Sequence, residues 1–240
     1  MADQQHGLDR SDEGRPVILV HGFASSFQRN WRDAGWVDLL EEAGRPVIGL
    51  DLLGHGAAPK PHDPAAYADL HQCILDKLPD AGPVDAIGFS LGAMLLLAVA
   101  SEMPARFGRL VLGGVGENVF RQADPEAAAR AIETGETQPG DPSVAQAFAR
   151  FAEAEGNDRQ ALAACLRRPH QRLSEEQLAR LSRPVLVVLG DRDFAGPGQP
   201  LVDALPDARL HTLAGADHFA TPKDFRFLDA ALSFLDARPA

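Results

Sequence analysis

The pentapeptide Gly88-Phe89-Ser90-Leu91-Gly92 sets one serine between two glycines, where an apolar string at 84–89 gives way to a longer one at 91–100. A serine hydroxyl is a poor nucleophile until a base takes its proton. A sharp strand-to-helix turn would present it for attack on a carbonyl carbon, and small flanking residues let such a turn close without collision. The Leu91 amide then opens the helix, where its N–H can face negative charge developing on a substrate oxygen. The Phe23 amide of His21-Gly22-Phe23, after the apolar string 16–20, is a second donor of this kind. His21 reads as a structural, hydrogen-bonding histidine, and Ser25 and Ser26 as caps of the next helix.

Ser90 needs a histidine to receive its proton and a carboxylate to fix that histidine's tautomer. Gly190-Asp191-Arg192-Asp193 follows the string 184–189 and offers two aspartates, while Gly215-Ala216-Asp217-His218-Phe219 follows a weaker string at 209–213 and offers the base. The resulting order, Ser then Asp then His, suits an open α/β sheet and differs from both common protease folds. Asp51-Leu52-Leu53-Gly54-His55-Gly56 reads as a structural turn, with Asp51 capping and the glycines free to take positive φ. It has neither the spacing of a phosphate-binding loop nor that of a dinucleotide fingerprint. His55, His62, His71 and His211 fall into no H-E-x-x-H or Cys/His pattern, so no metal and no cofactor is expected.

The elements that must position these residues are legible as short apolar strings at 16–20, 46–50, 84–89, 109–112, 184–189 and 209–213. All but the last are largely continuous rather than alternating, which predicts a mostly parallel sheet buried on both faces. Crossover helices are expected over 31–43, 64–77, 91–101 and 225–237, the third apolar enough to be buried. The interval 116–183 is too long for an ordinary connection. It divides into helical pieces at 125–133, 144–155, 159–166 and 174–182, punctuated by Gly135, Gly140, Gly156 and Asp141-Pro142, with Asp124-Pro125-Glu126 as a helix start. This predicts a core over 1–115 and 184–240 and a helical lid over 116–183, above the C-terminal ends of the strands. Val119, Phe120, Phe148, Phe151 and Leu162 either line an apolar acyl pocket or attach the lid to the core. Trp31, Trp36, Met94 and Met103 read as packing.

Composition excludes several classes. The chain of 240 residues is 45% hydrophobic and 24% charged, with 23 basic and 34 acidic side chains and a net charge of −11. That is the make-up of a folded globular domain. An acidic chain without a basic stripe repels phosphate backbones, so no nucleic-acid partner is expected. Cys73 and Cys165 lie in no C-x-x-C pair and read as apolar packing. Residues 1–14 are polar and acidic, unlike a signal peptide. The longest apolar run rises about 15 Å as a helix, half of a hydrocarbon core. A cytoplasmic location and a small-molecule partner follow as expectations.

From the string at 16–20 to the helix at 225–237, the chain resembles the α/β-hydrolase superfamily. The resemblance rests on His21-Gly22-Phe23, on Asp51 to Gly56 as the family's D-x-x-G-x-G loop, on the serine pentapeptide, on Gly190 to Asp193 and on His218. It implies an α/β-hydrolase fold with a helical cap, and catalytic Ser90, Asp193 and His218, because family members carry the acid at the last position of G-x-x-D. Asp191 becomes turn support. Asp217 stands where relatives usually have glycine, and would raise the histidine pKa if the two groups approached. The implied function is a cofactor-free serine hydrolase of a small ester, thioester or lactone acting through an acyl-enzyme. The alternatives are a C–C bond hydrolase, a cofactor-free perhydrolase and a noncatalytic small-molecule binding protein.

Overall fold

The computed structural model describes residues 14–121, 125–140, 143–169 and 172–238. The expectations for residues 1–13, for Asp124 and for Asp141-Pro142 lie outside the described residues. Successive residues of a strand point to opposite faces of its sheet. Here Ile18, Val20, Ala86, Leu110, Leu112 and Val187 pack into one core layer, while Val17, Leu19, Ile87, Val111, Leu186 and Val188 pack into the other. Both faces are covered, which is why the strings are apolar without alternation.

The strands are β1 (Val17–Val20), β2 (Val47–Gly49), β3 (Val84–Phe89), β4 (Phe107–Gly113), β5 (Val185–Gly190) and β6 (Ala208–Leu213). They form a sheet in the order β2-β1-β3-β4-β5-β6, and each neighbouring pair is parallel. The chain moves outward from β1 to β2 and then returns to place β3 on the other side of β1. That reversal opens a crevice at the C-terminal ends of β1 and β3, the place where open α/β sheets take ligands. β6 is the half-exposed edge, matching its weak signal.

Helix α3 (Leu91–Glu102) is buried against the sheet in the first layer. Trp31, α1 (Trp36–Glu42) and α9 (Phe225–Phe234) close the second, with Trp31, Trp36 and Phe227 meeting edge to face. Two expected helices are broken. The stretch 31–43 divides into a π-helical turn, Gln28–Arg32, and α1, because Gly35 sits between them at φ 78°. The stretch 64–77 divides into a 3-10 turn, Pro64–Tyr67, capped by Asp63, and the short α2 (Gln72–Leu75). Met103, expected in the core, ends α3 at 41% exposure, whereas Met94 packs inward.

Among the described residues, four α-helices follow β4 and precede β5: α4 (Glu126–Thr134), α5 (Ser143–Ala152), α6 (Arg159–Leu166) and α7 (Glu175–Leu178). Gly135 ends α4 at φ 75°, Asp158 caps α6 through the Gln160 and Ala161 amides, and Ser174 with Gln177 forms a capping box on α7. Arg167 forks onto Glu126 and Glu133 and so joins α6 to α4. After β5 comes α8 (Gln199–Asp203). No helix among the described residues is long and apolar enough to cross a membrane.

The opposite end of the sheet is held by charge. Asp85, 1% exposed in the side chain, accepts from Arg15 at 3.1 Å, from the Arg109 amide at 2.7 Å and from the buried Arg45. Arg45 also donates to the Arg15 and Leu235 carbonyl oxygens, so one carboxylate links β3 and β4 to the segments before β1 and β2 and after α9. Removing one partner of a buried ion pair leaves an uncompensated charge. Asp85→Ala is therefore expected to lower unfolding free energy in urea by about 3–5 kcal/mol. A loss below about 1 kcal/mol, the size of a solvent-exposed pair, would contradict this role.

Candidate active site

Each group singled out around Ser90 lies at a strand's C-terminal end. Ser90 joins β3 to α3 at φ 51°, ψ −113°, and its amide donates to the Gly113 carbonyl oxygen at 2.8 Å. A Cβ at Gly92 would overlap the Val20 and His21 carbonyl oxygens, and one at Gly88 would press on the Ala93 main chain. Both glycines are therefore required by the close approach of α3 to β1 and β3.

The Ser90 hydroxyl donates to His218 Nε2 at 2.9 Å, and His218 Nδ1 lies 2.9 Å from both oxygens of Asp193. A carboxylate accepts only, so Nδ1 carries the proton and Nε2 is left basic toward the serine. His218 and Asp193 are buried. The Ala195 amide gives Asp193 a further donor at 2.8 Å. The rings of Phe194 and Phe89 lie 4.2 and 4.9 Å from the imidazole centroid and confine it. Asp191 instead accepts from the Gly215 amide at 2.7 Å, bracing the turn before His218. Asp217 is exposed and accepts from the Ala220 amide at 2.9 Å, so it caps the next turn rather than approaching the histidine.

The loop after β1 is clamped from both sides. His21 Nδ1–H donates to the Gly22 carbonyl oxygen at 2.8 Å, while His21 Nε2 accepts from the Leu52 amide at 3.0 Å. The Gly22 amide donates to buried Asn30 Oδ1 at 2.9 Å. Because a trans peptide sets its C=O and the next N–H in opposite directions, the His21 contact fixes where the Phe23 N–H points. Burial drives the His21 pKa down, so the ring stays neutral and keeps this tautomer. Asp51 accepts from the Phe27 and Ala57 amides, each at 2.8 Å, and Ser26 caps the Arg29 amide at 3.2 Å. Asn30 is a participant that sequence reading missed, since its partner lies across a loop and no motif records it.

A cavity of about 430 Å³ opens over this relay. Ser90, His218, Gly22, Phe23 and Phe89 form its floor; Phe148, Phe151 and Ala154 reach it from α5 and the turn beyond, beside Phe219. Ser25, Arg29, Asn30, Asp33 and Lys223 supply polar wall. Phe148 and Phe151 thus line this cavity, and Val119, Phe120 and Leu162 are not among its lining residues. Val119 and Leu162 are buried in the first core layer and Phe120 packs against it, because holding the helices between β4 and β5 to the sheet requires the same apolar surface that a pocket would. Cys165 is buried and its thiol is pushed up to about 11 by that burial, as packing implies. Among the described residues no group of three His, Cys, Asp or Glu side chains converges to hold a metal.

A parallel sheet bearing a Ser–His–Asp relay on the ends of its strands defines the serine-triad class of α/β folds. Residues 17–230 match the sequence model of the alpha/beta hydrolase family, and the chain belongs to that family. It is 37% identical over 110 residues to a 2-hydroxy-6-oxo-2,4-heptadienoate hydrolase of Pseudomonas putida, covering 43% of this chain and 38% of that one. It is 34% identical over 116 residues to a pimeloyl-(acyl-carrier protein) methyl ester esterase of Neisseria meningitidis serogroup B, covering 47% of this chain and 41% of that one. The matched stretches thus span about two fifths of these relatives' length. Among solved structures, a bromoperoxidase from Bacillus anthracis shares the fold at a TM-score of 0.70 and 20% identity, over 92% of this chain and 91% of that one.

Two measurements check this site. Asp193→Asn is expected to lower kcat about a thousandfold by presenting the wrong tautomer to Ser90, with Asp191→Asn within about tenfold of wild type; the reverse order would move the acid. The second concerns buried His55, whose Nδ1–H donates to the Leu53 carbonyl oxygen at 3.0 Å while Nε2 has no partner among the described residues. Burial, helped by His21, drives its pKa down to about 3. The unfolded chain protonates this ring near its ordinary value of 6.5 and the folded one does not, so stability present above that value is lost as pH falls toward 3. Between pH 7 and 5, His55→Gln should lose about 2 kcal/mol less unfolding free energy than wild type, whereas parallel pH curves would contradict a neutral buried imidazole.

Proposed function

We propose that this protein is a serine hydrolase in which Ser90 attacks a substrate carbonyl, His218 takes and returns the proton, and Asp193 holds the imidazole. The observation that carries the reading is the continuous 2.9 Å relay from Ser90 through His218 to Asp193, floored in a cavity. The Phe23 and Leu91 amides are assigned as the pair that binds the oxyanion: the first has its direction set by His21, and the second heads α3. Water then enters on the same base and releases the acyl group. The helical insertion 116–183 is assigned as a lid, because Phe148 and Phe151 of α5 form part of the cavity wall. Unpaired Cys73 and Cys165 support a cytoplasmic location.

Two leaving-group classes fit this chemistry. An ester, thioester or lactone loses an alcohol or thiol. A vinylogous diketone loses a carbon fragment once ketonised, with Ser90 or a water that it activates as nucleophile. The cavity lining is aromatic and polar rather than aliphatic, with Ser25 and Asn30 beside five phenylalanines, and this favours carbon–carbon cleavage over simple alkyl-ester cleavage. The likeness to the heptadienoate hydrolase supports the same choice, and the likeness to the methyl ester esterase supports the first.

p-Nitrophenyl acetate tests the shared nucleophile whichever substrate class is native. Acid-quenched enzyme is expected to carry an acetyl group on the peptide containing Ser90. Ser90→Ala and His218→Ala should each lower the chemical rate by about a thousandfold or more. Unchanged turnover in Ser90→Ala would overturn the assignment.

A further inference from the structure

The chain is acidic overall, at −11, yet the wall of its catalytic cavity is not. Arg29, Lys223 and Asp33 line it, two cations against one carboxylate, and Asp33 already accepts from the Gln28 side-chain Nε2–H at 2.7 Å. Among the described residues neither Arg29 nor Lys223 makes an ion pair. The contact of the Arg29 guanidinium is with the Glu155 main-chain oxygen, at the turn following α5. A main-chain oxygen orients a guanidinium without neutralising it, so the remaining donors keep a full positive charge to offer a ligand.

The elements under these two residues are braced. Arg29 sits on the π-helical turn whose next residue, Asn30, holds the Gly22 amide, and its own amide is capped by Ser26. Lys223 sits on the turn after His218, where Trp36 Nε1–H donates to the Pro222 carbonyl oxygen at 3.2 Å and the Thr221 hydroxyl to the Asp217 carbonyl oxygen at 2.8 Å. Placement of both cations is thereby tied to the loops that carry the oxyanion donor and the base. Two cations against one carboxylate on the wall of an aromatic cavity discriminate by ligand charge.

We propose that Arg29 and Lys223 form an anion subsite, so that the substrate is a small carboxylate-bearing carbonyl compound whose flat or apolar part lies against Phe148, Phe151 and Phe219. This rests on the assignment of the cavity as the substrate site of a Ser90 hydrolase and adds the charge of the substrate to it. The carboxylate is a binding handle and takes no part in bond cleavage. Neutral compounds of the same shape lack the charge-assisted hydrogen bonds and bind more weakly.

Calorimetric titration with 4-phenylbutyrate and with its neutral isostere 4-phenylbutanamide tests this without requiring turnover. In the wild-type protein the carboxylate is expected to bind about tenfold tighter than the amide, with the preference shrinking as salt is raised. Lys223→Gln and Arg29→Gln should each reduce the preference, the double variant should bring it below about threefold, and Arg29→Lys should keep most of it. Lys223 is exposed, so its variant serves if a change at Arg29 disturbs folding as judged by thermal melting. Equal affinity for acid and amide in wild type, or a preference that survives the double substitution, would overturn the subsite. Failure of a fluorophosphonate to label Ser90 in the wild-type protein would overturn the hydrolase reading instead, and is read separately from the titration.

Discussion

Ser90 has to occupy a positive φ where β3 becomes α3, and most of the molecule is arranged around keeping it there. An L-residue adopts that conformation at a cost that the surroundings must offset. Here the offset comes from close packing, because α3 can approach β1 and β3 only with glycine at 88 and 92, and from the hydrogen bond between the Ser90 amide and the Gly113 carbonyl oxygen. Burial of α3 in the first core layer, with Leu96, Leu97 and Ala100 fully covered, fixes the helix that the turn must enter. Loosening this packing would release the turn and with it the direction of the hydroxyl.

The parallel sheet converts this local constraint into a site. Successive strand ends deliver the His21–Phe23 loop from β1, the nucleophile from β3, the acid from β5 and the base from β6, all at the C-terminal end of the sheet. The opposite end is tied by the Asp85 cluster, which joins segments far apart in sequence. A cluster of that kind specifies register as well as adding stability, since a slipped strand would bury the carboxylate unpaired. Together the two ends separate the work of folding from that of chemistry.

The parts of this arrangement that were legible in the sequence are those where one residue type is the sole physical solution. Double-sided burial made β1, β3 and β5 readable as unbroken apolar strings, and the elbow was readable because a sharp turn into a helix tolerates only small neighbours. His218 and a pair of aspartates followed from the strands that precede them, and the choice of Asp193 over Asp191 from the family resemblance. The rest depends on contacts across the chain. Gly35 looks like any glycine until a positive φ breaks the helix there. Val119, Phe120 and Leu162 could not be told from Phe148 and Phe151, because core and pocket ask for the same apolar side chains. Asn30 and Arg45 act on partners 8 and 40 residues away. Asp85 alone left a signal, as a charge inside an otherwise apolar strand.

The central claim is that Ser90 attacks a carbonyl whose oxygen is then held by the Phe23 and Leu91 amides. A crystal structure of the protein after reaction with a fluorophosphonate addresses both halves at once, since the tetrahedral phosphorus stands in for the carbon under attack. The account predicts phosphorus bonded to Ser90 Oγ, with its terminal oxygen about 3 Å from both amide nitrogens. An adduct on another residue, or a terminal oxygen turned to solvent away from the two amides, would contradict it.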